Sequence, residues 1–357
     1  MSIFSSAPNS ICILRLSAIG DACNAVSVVQ SIQQQWPETK ITWIMGKLEA
    51  QLLGDLPDIE VITFDKQNGF KGYLEIWKLL KGRQFDALLH MQSALRASIV
   101  SLGIKAKYRL GFDLQRSSDM QSWFINHKVP SPSSPHVLDG FKAFALELGI
   151  KERPLKWNIP IKNEAIEWAE KQINTKQTVV IVPAASKAFK NWHAKGYAEV
   201  IEYLHQQGLQ VILAGSPAPI EIELAEQITQ LTGDKAVNLV GKSSLKEMLA
   251  LIQQAKLVIA PDTGPAHMAV AVDTPVIGLY AHHNPQRTGP YNYRDFVVSA
   301  YQEAIEDETG KKLSEQSWRA RVKDEVAMNR ITSEQVIKKF KQVSAQLDLQ
   351  ELDKVNR

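Results

Sequence analysis

Two stretches of this chain alternate short β-branched runs with amphipathic segments, and that alternation restricts the fold more than any other feature. In the first half, ICILRL (11–16), ITWIM (41–45), VITF (61–64), DALLHM (86–91) and KYRLG (107–111) read as strands. Between them, 22–35, 47–53, 72–81 and 93–102 carry helical periodicity. Strands separated by helices at this spacing are joined by crossovers, so the pattern predicts a mainly parallel sheet covered on both faces. Residues 151–178 break the rhythm: KERPLKWNIPIKN is polar and Pro-punctuated, a short helix over 164–173 follows, and the segment reads as a connection. The alternation then restarts, with strands at 178–182, 209–215, 237–240, 256–260 and 275–280 and helices at 194–207, 217–231, 244–253 and 263–272. Thr332 and Gln335 form a capping-box pattern for a closing helix through about 343. The 357 residues thus predict two doubly wound α/β domains, 1–160 and 161–357. Two such domains create a cleft where the carboxyl ends of both sheets can face each other, the edge at which open α/β sheets bind ligands.

Composition narrows the class. With 45% apolar and 22% charged residues the chain is neither disordered nor collagen-like. No apolar run approaches the ~20 residues of a membrane span, and MSIFSSAPNS lacks the basic-then-apolar architecture of a signal peptide. Cys12 and Cys23 make no disulfide framework, which fits a reducing compartment, so a cytoplasmic protein is expected. A net charge of +3 is too slight to argue for nucleic acid. That figure is an average, however. Residues 66–128 hold eleven Lys or Arg against four acids, leaving the rest of the chain net acidic. The basic half is either a solvated surface or a face for an anionic partner.

Several sites of familiar chemistry are excluded. SAIGDACNA after the first strand has one glycine, so the dinucleotide fingerprint is absent. Gly241-Lys242-Ser243 resembles the end of a P-loop, but Ala236 stands where the leading glycine belongs, and Ser243 or Ser244 reads better as a helix cap. No cluster has zinc spacing, and the adjacent His282 and His283 would diverge in extended backbone, so no metal site is expected. No D-x-D pattern offers ligands for an ion bridging a nucleotide diphosphate.

Four features at strand ends remain. Ser17-Ala18-Ile19-Gly20-Asp21 places a carboxylate after the first strand, either as a helix cap or as a group that takes a proton from a hydroxyl. Pro261-Asp262-Thr263-Gly264-Pro265-Ala266-His267 opens a helix whose amides, unobstructed at Gly264, suit an anion such as a diphosphate; His267 could add a donor or simply pack. Asp262 or Thr263 would cap that helix. Ala185 to Trp192 puts Ser186, Lys187 and Lys190 at the carboxyl end of another strand, where a lysine neutralises a leaving diphosphate or merely stays solvated. Gly215-Ser216-Pro217 with Glu221 places a carboxylate that could accept from a ribose, or only start an acidic helix.

Together these motifs resemble the bacterial lipopolysaccharide heptosyltransferases, glycosyltransferase family 9. The resemblance runs from about Cys12 to Tyr291. It is carried by Arg15-Leu16-Ser17-Ala18-Ile19-Gly20-Asp21, Phe85 to Leu89 with Gln92, Gly111-Phe112, His136 with Leu148-Gly149, and most strongly Asp262 to His267 with Ala269, Ala271 and Pro275. It implies a GT-B architecture, two Rossmann-like domains across a cleft, and metal-independent, inverting transfer from an ADP-sugar with no cofactor. It assigns Asp21 as general base, Ser186 and Lys190 to the donor phosphates, and Thr263, Gly264, Pro265 and His267 to the diphosphate cradle. Asp262 would sit at the cap of that cradle and Glu221 at the ribose. The implied acceptor is an anionic, lipid-linked core oligosaccharide, reached by peripheral contact with the cytoplasmic face of the inner membrane. Lys71, Arg96, Arg109 and Arg116 are its candidate contacts. Departures from the family pattern fall at Asn24 and Ser27, at His193 after Lys190-Asn191-Trp192, and at Ala281 to Pro285. An epimerase of the same shape, another donor sugar and a non-catalytic nucleotide-sugar binder are the alternatives.

Overall fold

Every strand pairing in both halves is parallel, as crossovers of this length require. The computed structural model describes residues 2–174 and 177–355 and divides into two units, Met1–Pro160 and Ile161–Arg357.

The first unit runs β1 (Ser10–Leu14), α1 (Ile19–Gln35), β2 (Lys40–Gly46), α2 (Lys47–Leu53), β3 (Ile59–Phe64), α3 (Gly69–Leu79), β4 (Phe85–His90), α4 (Leu95–Ser101), β5 (Ala106–Phe112), β6 (His127–Val129) and α5 (Val137–Leu148). Its strand order is β3-β2-β1-β4-β5-β6. The order reverses between β1 and β4, so their connections leave in opposite directions and open a crevice at their carboxyl ends. Ile11, Cys12, Ile13 and Leu14 are fully buried, as expected of a central strand covered on both faces. Cys12 and Cys23 are free and buried, and burial pushes both thiols up, out of the reactive range. The Pro-punctuated connection lies on α1: the Trp157 indole donates to the Cys23 carbonyl (2.8 Å), and Gln30 exchanges hydrogen bonds with the Asn158 backbone.

The second unit runs α6 (Asn163–Gln172), β7 (Thr178–Ile181), α7 (Ala194–Gln206), β8 (Gln210–Leu213), α8 (Pro219–Thr232), β9 (Val237–Asn238), α9 (Leu245–Gln254) and β10 (Leu257–Pro261). It continues with α10 (Gly264–Ala271), β11 (Val276–Tyr280), α11 (Pro285–Thr288), β12 (Val297–Ser299), α12 (Tyr301–Thr309) and α13 (Ser333–Val355). The order β12-β11-β10-β7-β8-β9 is the first unit's topology again, with its reversal between β7 and β10. Ser244 caps α9 in a full capping box with Glu247, and Thr332 and Gln335 exchange the expected bonds ahead of α13.

The strands and helices read from the sequence are present to within a few residues. Several features differ. The strands β6 and β12 have three residues each, too few to show a period. The helix α12 is mostly acidic and polar, with only Tyr301, Ala304 and Ile305 buried. The closing helix α13 runs well past 343. The helix α5, unassigned by periodicity, carries Gly140 in mid-helix, where an added Cβ would collide with the buried guanidinium of Arg116.

At the end of β4, His90 is fully buried, and burial, reinforced by the charge of Arg109, pushes its imidazole down to about 3. The Gln121 amide donates to His90 Nδ1 (3.1 Å), so Nε2–H is left to donate to Ser98 Oγ (3.3 Å). A histidine held neutral below its ordinary 6.5 binds fewer protons folded than unfolded, so its stabilising contribution is whole above that value and is lost as pH falls toward 3. Urea melts should therefore show stability declining below about pH 6.5, by at most ~1.4 kcal/mol per pH unit from this site. The slope should be shallower in His90→Asn, and an equal slope would remove His90 as its source.

Candidate active site

In the first unit the chain leaving β1 turns through Leu16, Ser17 and Ala18 into α1. Ala18 is the N-cap and has no side-chain cap bond, so Asp21 is not the cap; it lies in the first turn, where the helix dipole favours a carboxylate. Gln92, just past β4, braces the turn: its Oε1 accepts from Leu16 N (2.7 Å) and its Nε2 donates to Ser17 Oγ (3.2 Å). Gly46 supports it from β2, donating its N–H to the Leu16 carbonyl at 2.9 Å. A Cβ at Gly46 would stand 2.5 Å from that same oxygen, so only glycine permits the approach.

The Arg15 guanidinium pairs with the Asp21 carboxylate. Arg15 also donates to the Met91 carbonyl (2.6 Å) and lies over the Phe141 ring, 5.2 Å from its centroid. Its side chain is 10% exposed and that of Asp21 34%, so the cation is fixed inside and the carboxylate faces outward. A braced carboxylate at the reversal point of a parallel sheet is suited to accept a proton from a hydroxyl.

In the second unit the reversal point gathers the loops after β7 and β10. Trp192 is buried and donates its indole N–H to the Ile331 carbonyl (3.0 Å), and Asn191 Oδ1 accepts from Ala185 N (2.7 Å). This fixed loop carries Lys190 to Asp262, Nζ to Oδ2 at 2.8 Å, while Ser186 stays exposed. His283 Nδ1 donates to the same Oδ2 at 2.5 Å. Burial alone would raise the Asp262 carboxyl, but the His283 hydrogen bond and the Lys190 charge outweigh it and hold it below the usual carboxylate range. Lys190, Asp262, Tyr280, His282 and His283 line one pocket.

Thr263 is the N-cap of α10 but makes no side-chain cap bond, and Asp262 is engaged with Lys190 and His283 instead of capping. Thr263, Gly264 and Pro265 are half-buried and His267 is buried on the first turn. Glu221, also buried, closes the loop after β8: Ser216 N donates to its Oε2 (2.8 Å) and Ser216 Oγ to its Oε1 (2.5 Å).

Two expectations need correction. Arg109 and Arg116 do not offer their guanidinium groups outward. Arg109 donates to the carbonyls of Phe124, Ile104 and Ser101, and Arg116 to those of His136 and Ser134. Both act as internal braces, whereas Lys71 and Arg96 are exposed. Sequence reading also missed His283. The β10–β11 register sets Pro261 beside Leu279, so the residues that follow the two strands meet although far apart in the chain. His282 diverges from it, donating from Nδ1 to the Val322 carbonyl at 3.2 Å.

The pattern of glycosyltransferase family 9 (heptosyltransferase) matches residues 73–319. The lipopolysaccharide core heptosyltransferase OpsX of Haemophilus influenzae is 48% identical over 344 residues, covering 96% of this chain and 99% of that protein. The chain belongs to glycosyltransferase family 9. This glycosyltransferase is also similar to lipopolysaccharide heptosyltransferase 3 of Escherichia coli K12, at 24% identity over 73% of this chain and 79% of that one. Among solved structures, a glycosyl transferase family 9 protein from Veillonella parvula superposes with a TM-score of 0.76 at 20% identity, covering 95% and 97% of the two chains. The E. coli heptosyltransferase WaaC with ADP gives 0.71 at 20%, covering 93% and 99%. The fold is GT-B, built of two Rossmann-like units. Among the described residues no helix is long and apolar enough to cross a membrane.

The depressed Asp262 carboxyl has a consequence for stability. Its contribution is whole above its ordinary 3.8 and is lost as pH falls toward the lower folded value. Replacing one partner of so enclosed a pair leaves the other charge uncompensated, so Asp262→Asn should cost roughly 2–4 kcal/mol near neutral pH. Chemical unfolding should show the gap from the parent chain constant above about pH 5 and narrowing below pH 4; a gap independent of pH would contradict the pairing.

Proposed function

We propose that this glycosyltransferase moves a heptose from ADP-heptose to the Kdo/heptose inner core of lipopolysaccharide, inverting the anomeric centre. The observation that carries the reading is the nearly full-length, 48% identical match to a protein named a lipopolysaccharide core heptosyltransferase. Asp21 takes the proton from the acceptor hydroxyl as that oxygen attacks the sugar C1, and Arg15 orients the carboxylate. The bond from C1 to the phosphate oxygen breaks on the opposite face, and ADP leaves with the electron pair.

The leaving diphosphate needs positive partners. The helix α10 begins with no side-chain cap, Gly264 places no side chain over its amides, Pro265 fixes the first-turn backbone, and Thr263 and His267 add donors. Lys190 and His283, tethered together on Asp262, flank the phosphates, and Ser186 adds a hydroxyl. Lys190, the α10 amides and the Ser186 hydroxyl thus offer the departing diphosphate several donors on one side of the pocket. Glu221, positioned by Ser216, accepts from the ribose hydroxyls. Lys71 and Arg96 meet the anionic acceptor. Because that acceptor is lipid-linked, the enzyme works from the cytoplasm as a peripheral visitor to the inner-membrane surface.

The test is ADP release from ADP-heptose, with mass spectrometry of a Kdo-bearing acceptor. Release that depends on the acceptor, with a single heptose added, is expected; a changed sugar without acceptor would favour an epimerase and overturn the reading. Asp21→Asn should lower kcat by about 10²–10⁴ with the donor KM nearly unchanged. Lys190→Ala should raise the donor KM by roughly tenfold or more, the worth of one charge-assisted hydrogen bond. Near-normal turnover in the first variant, or unaltered donor affinity in the second, would withdraw that residue's role.

A further inference from the structure

The helix α3 carries more apolar surface than its packing uses. Gly72 and Ile76 are buried against the unit, and Tyr73 and Trp77 are half-buried. Phe70 and Leu74, however, are 67% and 47% exposed. At about 100° per residue, Phe70, Leu74, Trp77 and Tyr73 form one sector beside Ile76, with Lys71 and Lys78 along its outer border. The exposed ring is part of a built ledge. Phe70 lies 6.3 Å from Tyr73 and 6.5 Å from Trp77, and Tyr73 lies 5.1 Å from Phe64. Trp77 is anchored through its indole N–H to the Val100 carbonyl (3.2 Å).

Charge selects the occupant. Lys66, Lys71, Lys78 and Lys81 are all exposed on and beside the helix, and Glu75 is the one acid within it. A second copy would bring like-charged rows together. An anionic lipid surface would satisfy both the lysines and the aromatic ledge, since such helices lie with their apolar face in the headgroup region and tryptophan and tyrosine favour that depth. Position agrees: α3 starts directly after β3, at the carboxyl edge of a parallel sheet, the same edge that carries Asp21.

We propose that α3 is an interfacial docking helix, inserting Phe70 and Leu74 among the headgroups of an anionic phospholipid surface, with Trp77 as their anchored support, while Lys66, Lys78 and Lys81 meet the lipid phosphates. The reason for docking rests on the lipid-linked acceptor proposed above; the contact itself can be measured without it.

The experiment is co-sedimentation of the full chain with phosphatidylcholine vesicles, with and without phosphatidylglycerol. Binding that needs the anionic lipid and weakens with salt is expected. Phe70→Ser with Leu74→Ser should lower the partition at least about tenfold. Lys78→Glu with Lys81→Glu should do so to a similar extent. As a second measurement, Phe70→Cys carrying an environment-sensitive thiol dye should shift to the blue on anionic vesicles; the native Cys12 and Cys23 are buried away from the reagent. Unchanged sedimentation of the serine variant, a silent dye, or a change of oligomeric state in that variant would overturn the proposal. The serine variant should also keep full transfer to a delipidated acceptor and lose transfer to a vesicle-embedded one; equal transfer to both would count against docking. A parent chain that binds vesicles but transfers to neither acceptor would overturn the activity and leave the docking standing.

Discussion

A parallel sheet that is wound outward in both directions from its middle has one place where the covering connections part. Both units have that reversal, between β1 and β4 in the first and between β7 and β10 in the second. Covered faces make the strands continuous apolar runs, so polar groups can only gather beyond their ends. Asp21 and Gln92 follow the two strands of the first reversal, and Lys190 and Asp262 those of the second. The chemistry is placed by topology before any side chain is chosen.

Each reversal holds an ion pair, and the two are arranged in opposite senses. In the first, the arginine is fixed by a carbonyl and an aromatic face and the carboxylate is the more exposed partner. In the second, the carboxylate is the more enclosed partner and gathers a lysine and a histidine. The outward group is thus a carboxylate in one unit and a pair of donors in the other. That division is what the proposed transfer calls for, since one substrate gives up a proton and the other releases an anion.

Much of this was legible in the sequence because periodicity reports burial directly. Strands such as 41–45 and helices such as 47–53 announce which face is covered. The short strands β6 and β12 carry too few residues for a period, and α12 buries only three side chains. Asp21, Lys190 and Asp262 were visible because each follows a strand. His283 follows β11 in the same way, but its pairing is not legible, because its partner is chosen by the lateral register of β10 and β11, which no local spacing encodes. Register also hid what Asp262 binds: its place at the mouth of the diphosphate loop is legible, its pairing with Lys190 and His283 is not.

The basic segment shows why a charge count is a poor guide to a surface. Of its arginines, Arg83 binds Glu60 and Thr42, and Arg109 and Arg116 brace loops by donating to backbone carbonyls; Arg96 is exposed. All seven lysines from Lys66 to Lys128 are exposed. The guanidinium presents several fixed donors and is weakly hydrated, so it can satisfy carbonyls out of water, whereas the compact ammonium holds its hydration shell. What remains for a partner is therefore mostly a field of exposed ammonium groups. Such a field attracts anionic surfaces without reading their detail, so recognition of a particular acceptor must fall to the few fixed groups at the carboxyl edge.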